Sequence, residues 1–127
     1  MLKRFLEHGS ELAYAAMRVV LAFLFVCHGL QKLVGAFGGH QVPLMSLLGA
    51  AAVIETFPGA LIGVGLFTSS AALIASGEMA VAYFRVLAPR GTLPIQNGGE
   101  LAVAFCFAFL YIATRGGGRW SLDSIRR

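Results

Sequence analysis

The 127-residue chain is 57% apolar and 13% charged, with a net charge of +4 and a mean hydropathy of +0.77. One water-soluble core of this length cannot hide so much apolar surface, and intrinsic disorder needs far lower hydrophobicity, so the composition defines an integral membrane protein of one domain, residues 1–127. The basic residues stand singly or at the termini, without the clustered face that nucleic acid requires, and no nucleic-acid partner is expected.

In chain order, a polar stretch over residues 1–11 precedes a first apolar span at about 12–30. It has no small-residue cleavage site and is not read as a signal peptide. A second span follows at about 43–67, with Pro43 placed at a first helical turn. The third covers about 70–87 and the fourth about 98–114. At about 20 residues per crossing, the chain accommodates four helices with short loops, an all-α four-helix bundle. The connection at 68–70 is short enough to make spans two and three an antiparallel hairpin. The longer breaks at 34–42 and 88–97 fall on the opposite side.

Basic residues set the expected orientation. Lys3, Arg4, Arg115, Arg119, Arg126 and Arg127 share the side of the termini, against Lys32, Arg90 and the edge residue Arg85 on the other. By the positive-inside rule both termini are cytoplasmic. Cys27 and Cys106 lie within apolar runs and form no C-x-x-C pattern, so they read as buried, inert thiols.

Ionisable residues at membrane depth carry more information, since each costs at least about 2.5 kcal/mol at a helix centre. Arg18 lies in span one, Glu55 in span two and Glu78 in span three. Counting back from the outer ends at the helical rise places Arg18 and Glu55 at one level, roughly 18 Å down, with Glu78 roughly 14 Å down. An Arg18–Glu55 ion pair is therefore expected. Glu78 is left over, and either holds a proton or shares Arg18. The cluster reads equally as polar glue between helices or as a proton-handling or ligand-binding centre. Pro58 removes the backbone bond to the Ile54 carbonyl beside Glu55, a feature common to cavity linings and to plain packing.

A second group lies toward the outer side. His28 and Lys32 are four residues apart and share a helical face. Asn97 and Glu100 open span four in an N-x-x-E pattern, which is a capping box by itself. The four residues together can also converge at a mouth above the buried charges, as an outer-side ligand site. The glycine pair in Gly59-Ala-Leu-Ile-Gly63 marks a close-packing helix face.

Taken together, these strings resemble the DoxX family: HGLQKLVG after a span containing Arg18, Glu55 followed by GLFT, GEMAVAYF, P-x-x-NGGELAVAFCFAFLY, and GGGRWSLD near the end. The resemblance covers nearly the whole chain. It implies a small four-helix protein of a bacterial or archaeal cytoplasmic (inner) membrane, linked to redox or quinone chemistry. The family takes its name from a subunit associated with a terminal quinol oxidase, and relatives occur in thiosulfate:quinone oxidoreductase assemblies. The positions carried over are Arg18, His28, Gly29, Lys32, Glu55, Asn97 and Glu100. Where the family often has a histidine between AYF and the P-x-G segment, this chain has Leu87, which puts a two-histidine metal or haem site in doubt.

Among cofactors, bis-histidine haem needs two axial imidazoles, and His28 alone lies in a span, His40 being in a loop. No Cys/His cluster suits zinc or copper, and no Gly-rich strand–turn–helix suits a dinucleotide. No covalently bound cofactor or metal is expected. A quinone asks only for an apolar slot with donors at its carbonyls, which His28, Lys32 and a glutamic acid supply. The expectation is an accessory membrane subunit that interacts with quinone or supports an oxidoreductase, as an oligomer or with a partner redox subunit. The competing readings are a non-catalytic anchor for a partner enzyme and a small proton-linked transporter using Glu55 and Glu78.

Overall fold

A computed structural model of the chain describes residues 1–126, so Arg127, counted above among the basic residues, lies outside the described residues. The described residues form helices and connections only, in the order α1 (Leu2–His8), α2 (Ser10–Leu33), α3 (Leu47–Val64), α4 (Thr68–Ala82), α5 (Pro94–Asn97), α6 (Glu100–Arg115) and α7 (Leu122–Arg126). A π-helical turn at Tyr83–Leu87 and a 3-10 turn at Ala88–Arg90 extend α4. Three stretches, Ser10–Leu33, Leu47–Val64 and Thr68–Arg90, are long and apolar enough to cross a membrane. The fourth, α6, has 16 residues and is about 24 Å long at the helical rise.

Several boundaries differ from the sequence reading for local reasons. Span two does not start at Pro43: the helix begins at Leu47, where the Ser46 hydroxyl accepts from the Gly49 N–H as its N-cap. The turn between α3 and α4 is not 68–70. Gly65 in the left-handed region closes α3 and Phe67, at φ 50°, enters α4, so Thr68 and the two serines are already helical. The capping box at Asn97 does not form. Gly99 occupies the cap of α6, and Asn97 ends the separate short helix α5.

Helix α2 packs along α3, α3 against α4, and α4 against α6. Two glycines fix the α2–α3 register by close approach. A Cβ at Gly29 would lie 2.4 Å from Thr56 Oγ1, and one at Gly59 would lie 2.9 Å from Val26 Cγ2. Gly63 faces Ala22 in the same series. Across α4 and α6, Ala71, Ala72 and Ala75 are buried among Phe105, Phe109 and Ile112. Phe25 of α2 closes the centre, its ring centroid 4.8 Å from Phe109 and 5.5 Å from Phe105. Large apolar side chains such as Phe23, Leu73 and Phe107 are exposed around the outside, as lipid contact requires.

Candidate functional site

The buried ionisable residues form two separate constellations, which overturns the expected Arg18–Glu55 pair. Arg18 is 2% exposed, and its guanidinium is spent on backbone carbonyls. Nε donates to Ile62 O at 2.9 Å, Nη2 to Trp120 O at 2.9 Å and to Gly63 O at 3.3 Å, and Nη1 to Gly117 O. Two of these carbonyls belong to the last turn of α3, where unpaired acceptors and the negative end of the helix dipole gather. The other two belong to the GGGRW tail. Arg18 is thus a staple between the α3 terminus and the C-terminal segment.

The same end of the molecule is tied by Asp123, a residue the sequence reading quoted within a motif and gave no role. Its carboxylate accepts from Phe67 N, Thr68 N and Thr68 Oγ1 at 2.7–2.9 Å, capping α4. Burial works to raise its pKa, but the Thr68 and Phe67 donors and nearby Arg126 prevail and hold it below the ordinary carboxylate value. Tyr14 adds a hydroxyl bond to Gly116 O at 2.6 Å. Glu11 pairs with Arg115 at 2.8 Å and accepts from Arg119 N.

Glu55 pairs instead with Lys32, whose Nζ lies 2.6 Å from Oε1 and 2.8 Å from Oε2. The register explains the exchange. With Gly29 against Thr56, Glu55 faces the last turns of α2, within reach of the four-carbon stem of Lys32. Arg18 lies three turns away along α2, beyond Ala22 and Gly63. Glu55 is 1% exposed and Lys32 28%, so the ion pair has one dry and one open end. The Glu78 carboxyl lies beside that of Glu55, and its Oε2 is buried without a hydrogen-bond partner among the described residues. Thr56 Oγ1 is orphaned in the same way.

The Lys32–Glu55 pair stands at one end of a cavity of about 180 Å³ between all four long helices. His28, Lys32 and Glu55 line its polar end, and Phe25, Met79, Leu87, Leu101 and Phe105 its apolar walls. His28 meets the Phe105 ring edge-on at 6.4 Å. On the other flank, Glu78 opens on a second cavity of about 140 Å³ between α3 and α4. Of the four outer-side residues, His28 and Lys32 line the central cavity and the other two do not. Asn97 is buried and organises the loop, donating to Tyr83 Oη and Gly91 O and accepting from Gly99 N. Glu100 is exposed on the first turn of α6.

The fold and site define an all-helical membrane protein with a buried Lys–Glu–Glu cluster at a small apolar cavity. Residues 13–88 match DoxX, and the chain belongs to that family. The match contains Arg18, His28, Lys32, Glu55 and Glu78 and ends before Asn97 and Glu100. Over 126 residues the chain is 41% identical to a Haemophilus influenzae (strain ATCC 51907 / DSM 11121 / KW20 / Rd) protein described as "Uncharacterized protein", with 94% of each chain covered. No solved structure matches the chain.

Proposed function

We propose that this DoxX protein is a quinone-interacting accessory subunit whose central cavity receives the ring of a quinone. The observation that carries the reading is the cavity's two-sided chemistry. A cavity of roughly 150 Å³ suffices for a single aromatic ring, and this one, at about 180 Å³, has aromatic and aliphatic walls with donors at one end. His28 and the Lys32 ammonium are placed to donate to ring carbonyls. Glu55 stands at the same end, and Glu78, which lines the other flank, bears on the central cavity only through the Glu55 carboxyl beside it. A quinone supplies redox chemistry coupled to protons when bound, so its site needs titratable groups connected to water. One ammonium beside two carboxyls makes a cluster that is electrically neutral with one proton, and Lys32 gives it its exposed end.

In this reading α6 also crosses the bilayer, completing a four-helix bundle, because Phe105 and Phe109 are buried at the level of Phe25 in α2. Both termini are cytoplasmic, in the inner membrane of a bacterium or archaeon. The subunit acts with further copies of itself or a redox partner, and the basic terminal end is the surface offered to that partner. A second reading, proton-linked transport, draws on the contact between the carboxyls of Glu55 and Glu78, which line cavities on opposite flanks.

The test is equilibrium binding of a quinone analogue to purified protein in lipid nanodiscs. A His28→Ala variant that elutes as the folded protein should bind about tenfold more weakly, the factor that goes with losing one hydrogen bond of about 1.4 kcal/mol. Absence of binding in the unaltered protein would leave a non-catalytic anchor for a partner enzyme as the better account.

A further inference from the structure

The end of the molecule where α2 begins and α3 stops carries large apolar and basic side chains together. In α1, Leu2, Phe5 and Leu6 fall within about 100° of one helix face, and Lys3, Arg4, Glu7 and His8 take the rest. None of these residues is buried, and Phe5 is 74% exposed. Gly9, at ψ −2°, departs from helical ψ by about 40° and bends the chain between α1 and α2. A groove of about 320 Å³ lies at the same end, lined by Val64, Arg119, Trp120, Ser121, Leu122 and Ile125. Trp120 is 60% exposed, yet its backbone is fixed, because its carbonyl accepts from Arg18 Nη2 at 2.9 Å. Glu11 Oε2 accepts from Arg119 N at 3.1 Å, which ties the groove to the start of α2, two residues past Gly9. The acids around the groove are spent, Glu11 on Arg115 and Arg119 N, and Asp123 on the first turn of α4. Among the described residues, no carboxylate pairs with the side chains of Lys3, Arg4 or Arg119.

We infer that this groove seats the head of an anionic phospholipid, and that α1 lies in the same headgroup layer as a second contact. The phosphate meets the Arg119 guanidinium and the indole N–H of Trp120, while Val64, Leu122 and Ile125 receive the first part of an acyl chain. In α1 the arc of Leu2, Phe5 and Leu6 dips toward the acyl boundary, and Lys3 and Arg4 reach phosphates from the polar side. Lipid is favoured over a protein as the occupant because both features sit on separate segments at the ends of membrane-crossing helices, where headgroups lie in any case. Tryptophan beside arginine is also the composition that this layer selects. A tryptophan held rigid by a buried arginine is a fixed marker of that layer and not a loose tail residue. The polar arc of α1 stays turned to water, open to the partner proposed above. The inference does not depend on what occupies the central cavity.

Trp120 is the single tryptophan of the chain, so its emission is a built-in reporter. The full chain is placed in phosphatidylcholine nanodiscs in which a fixed minor fraction of lipid is brominated high on the acyl chains, as phosphatidylglycerol or as phosphatidylcholine. From the quenching, brominated phosphatidylglycerol should associate with Trp120 about fivefold more strongly than its zwitterionic counterpart, the factor that goes with one cation at headgroup level. Arg119→Gln, which spares the bond from Arg119 N to Glu11, should bring the two lipids within about twofold of each other. Arg119→Lys should keep most of the preference. In a Trp120→Phe background, Phe5→Trp should likewise be quenched by brominated lipid and shielded from aqueous acrylamide. Trp120 open to acrylamide and untouched by either brominated lipid would overturn the inference and leave this end to a protein partner. Equal quenching by the two lipids, or a preference that survives Arg119→Gln, would overturn the headgroup site and leave unselective lipid contact. A Phe5→Trp reporter open to acrylamide would overturn the placement of α1.

Discussion

Lys32 and Arg18 show how a half-buried and a buried cation can be neutralised by opposite means. Arg18 uses a planar fork to collect four carbonyls, and guanidinium geometry suits such dispersed acceptors. Lys32 presents a compact charge to one carboxylate and leaves Glu78 beside it. Removing one partner of a buried pair strands the other, whereas replacing both with apolar groups removes the desolvation cost as well. Lys32→Met alone should therefore destabilise the protein by about 3–5 kcal/mol, and Lys32→Met with Glu55→Leu by clearly less. Thermal unfolding of detergent-solubilised variants reads the difference, and equal losses in the single and double variants would show that the pair is not a unit. Opposite charge at matched depth suggested Arg18 as the partner of Glu55. Counted from Leu47, where α3 begins, Glu55 is eight residues in, while Arg18 is 15 residues from the end of α2 at Leu33, so Arg18 lies about 10 Å deeper than Glu55 at the helical rise.

Helix register supplies what depth counting lacked. The paired small residues were visible in Gly59 and Gly63, but setting them against Val26 and Ala22, and Gly29 against Thr56, needs the packing of α2 on α3. Gly29→Val should separate α2 from α3, draw Glu55 away from Lys32 and lower the unfolding temperature sharply. Gly77→Ala in α4 meets nothing within 4 Å and should be neutral or stabilising by about 0.5–1 kcal/mol. Similar melting shifts for the two would contradict the packing. The ends of elements were the less legible part, because a cap from Asp123 reaches Thr68 across 55 residues and no local spacing announces it. Since the folded carboxylate has a lowered pKa, its contribution is present in full above the unfolded value of roughly 3.9. It is lost as the pH falls through the folded value. Asp123→Asn should thus reduce stability at neutral pH and flatten the acid-side loss below about pH 4, as followed by melting temperature against pH.

At the scale of the whole molecule, the distribution of ties is unequal between the two ends. The start of α2, the α3–α4 turn and the tail are laced together by Tyr14, Arg18, Asp123 and the Glu11–Arg115 pair. Around them stand Lys3, Arg4, Arg119 and Arg126, and Arg126 lies over the Phe67 ring at 4.5 Å. The opposite end carries the cavity mouth, Lys32 and Arg90. A helix bundle inserts with its basic end toward the cytoplasm, because retained Lys and Arg near span ends resist translocation. The cavity would then face the outer side, where a lipid-soluble ligand exchanges with the outer half of the bilayer. In a background where Cys27 and Cys106 are replaced by alanine, Arg90→Cys should react with a membrane-impermeant maleimide in intact cells. Ser124→Cys, on the exposed C-terminal turn, should react only after permeabilisation. The choice of Ser124 spares the Arg126–Phe67 contact, so the label reports sidedness and not a loosened tail. The reverse labelling pattern would turn the cavity toward the cytoplasm and hand the stapled basic end to the exterior, and with it the docking role proposed for that surface.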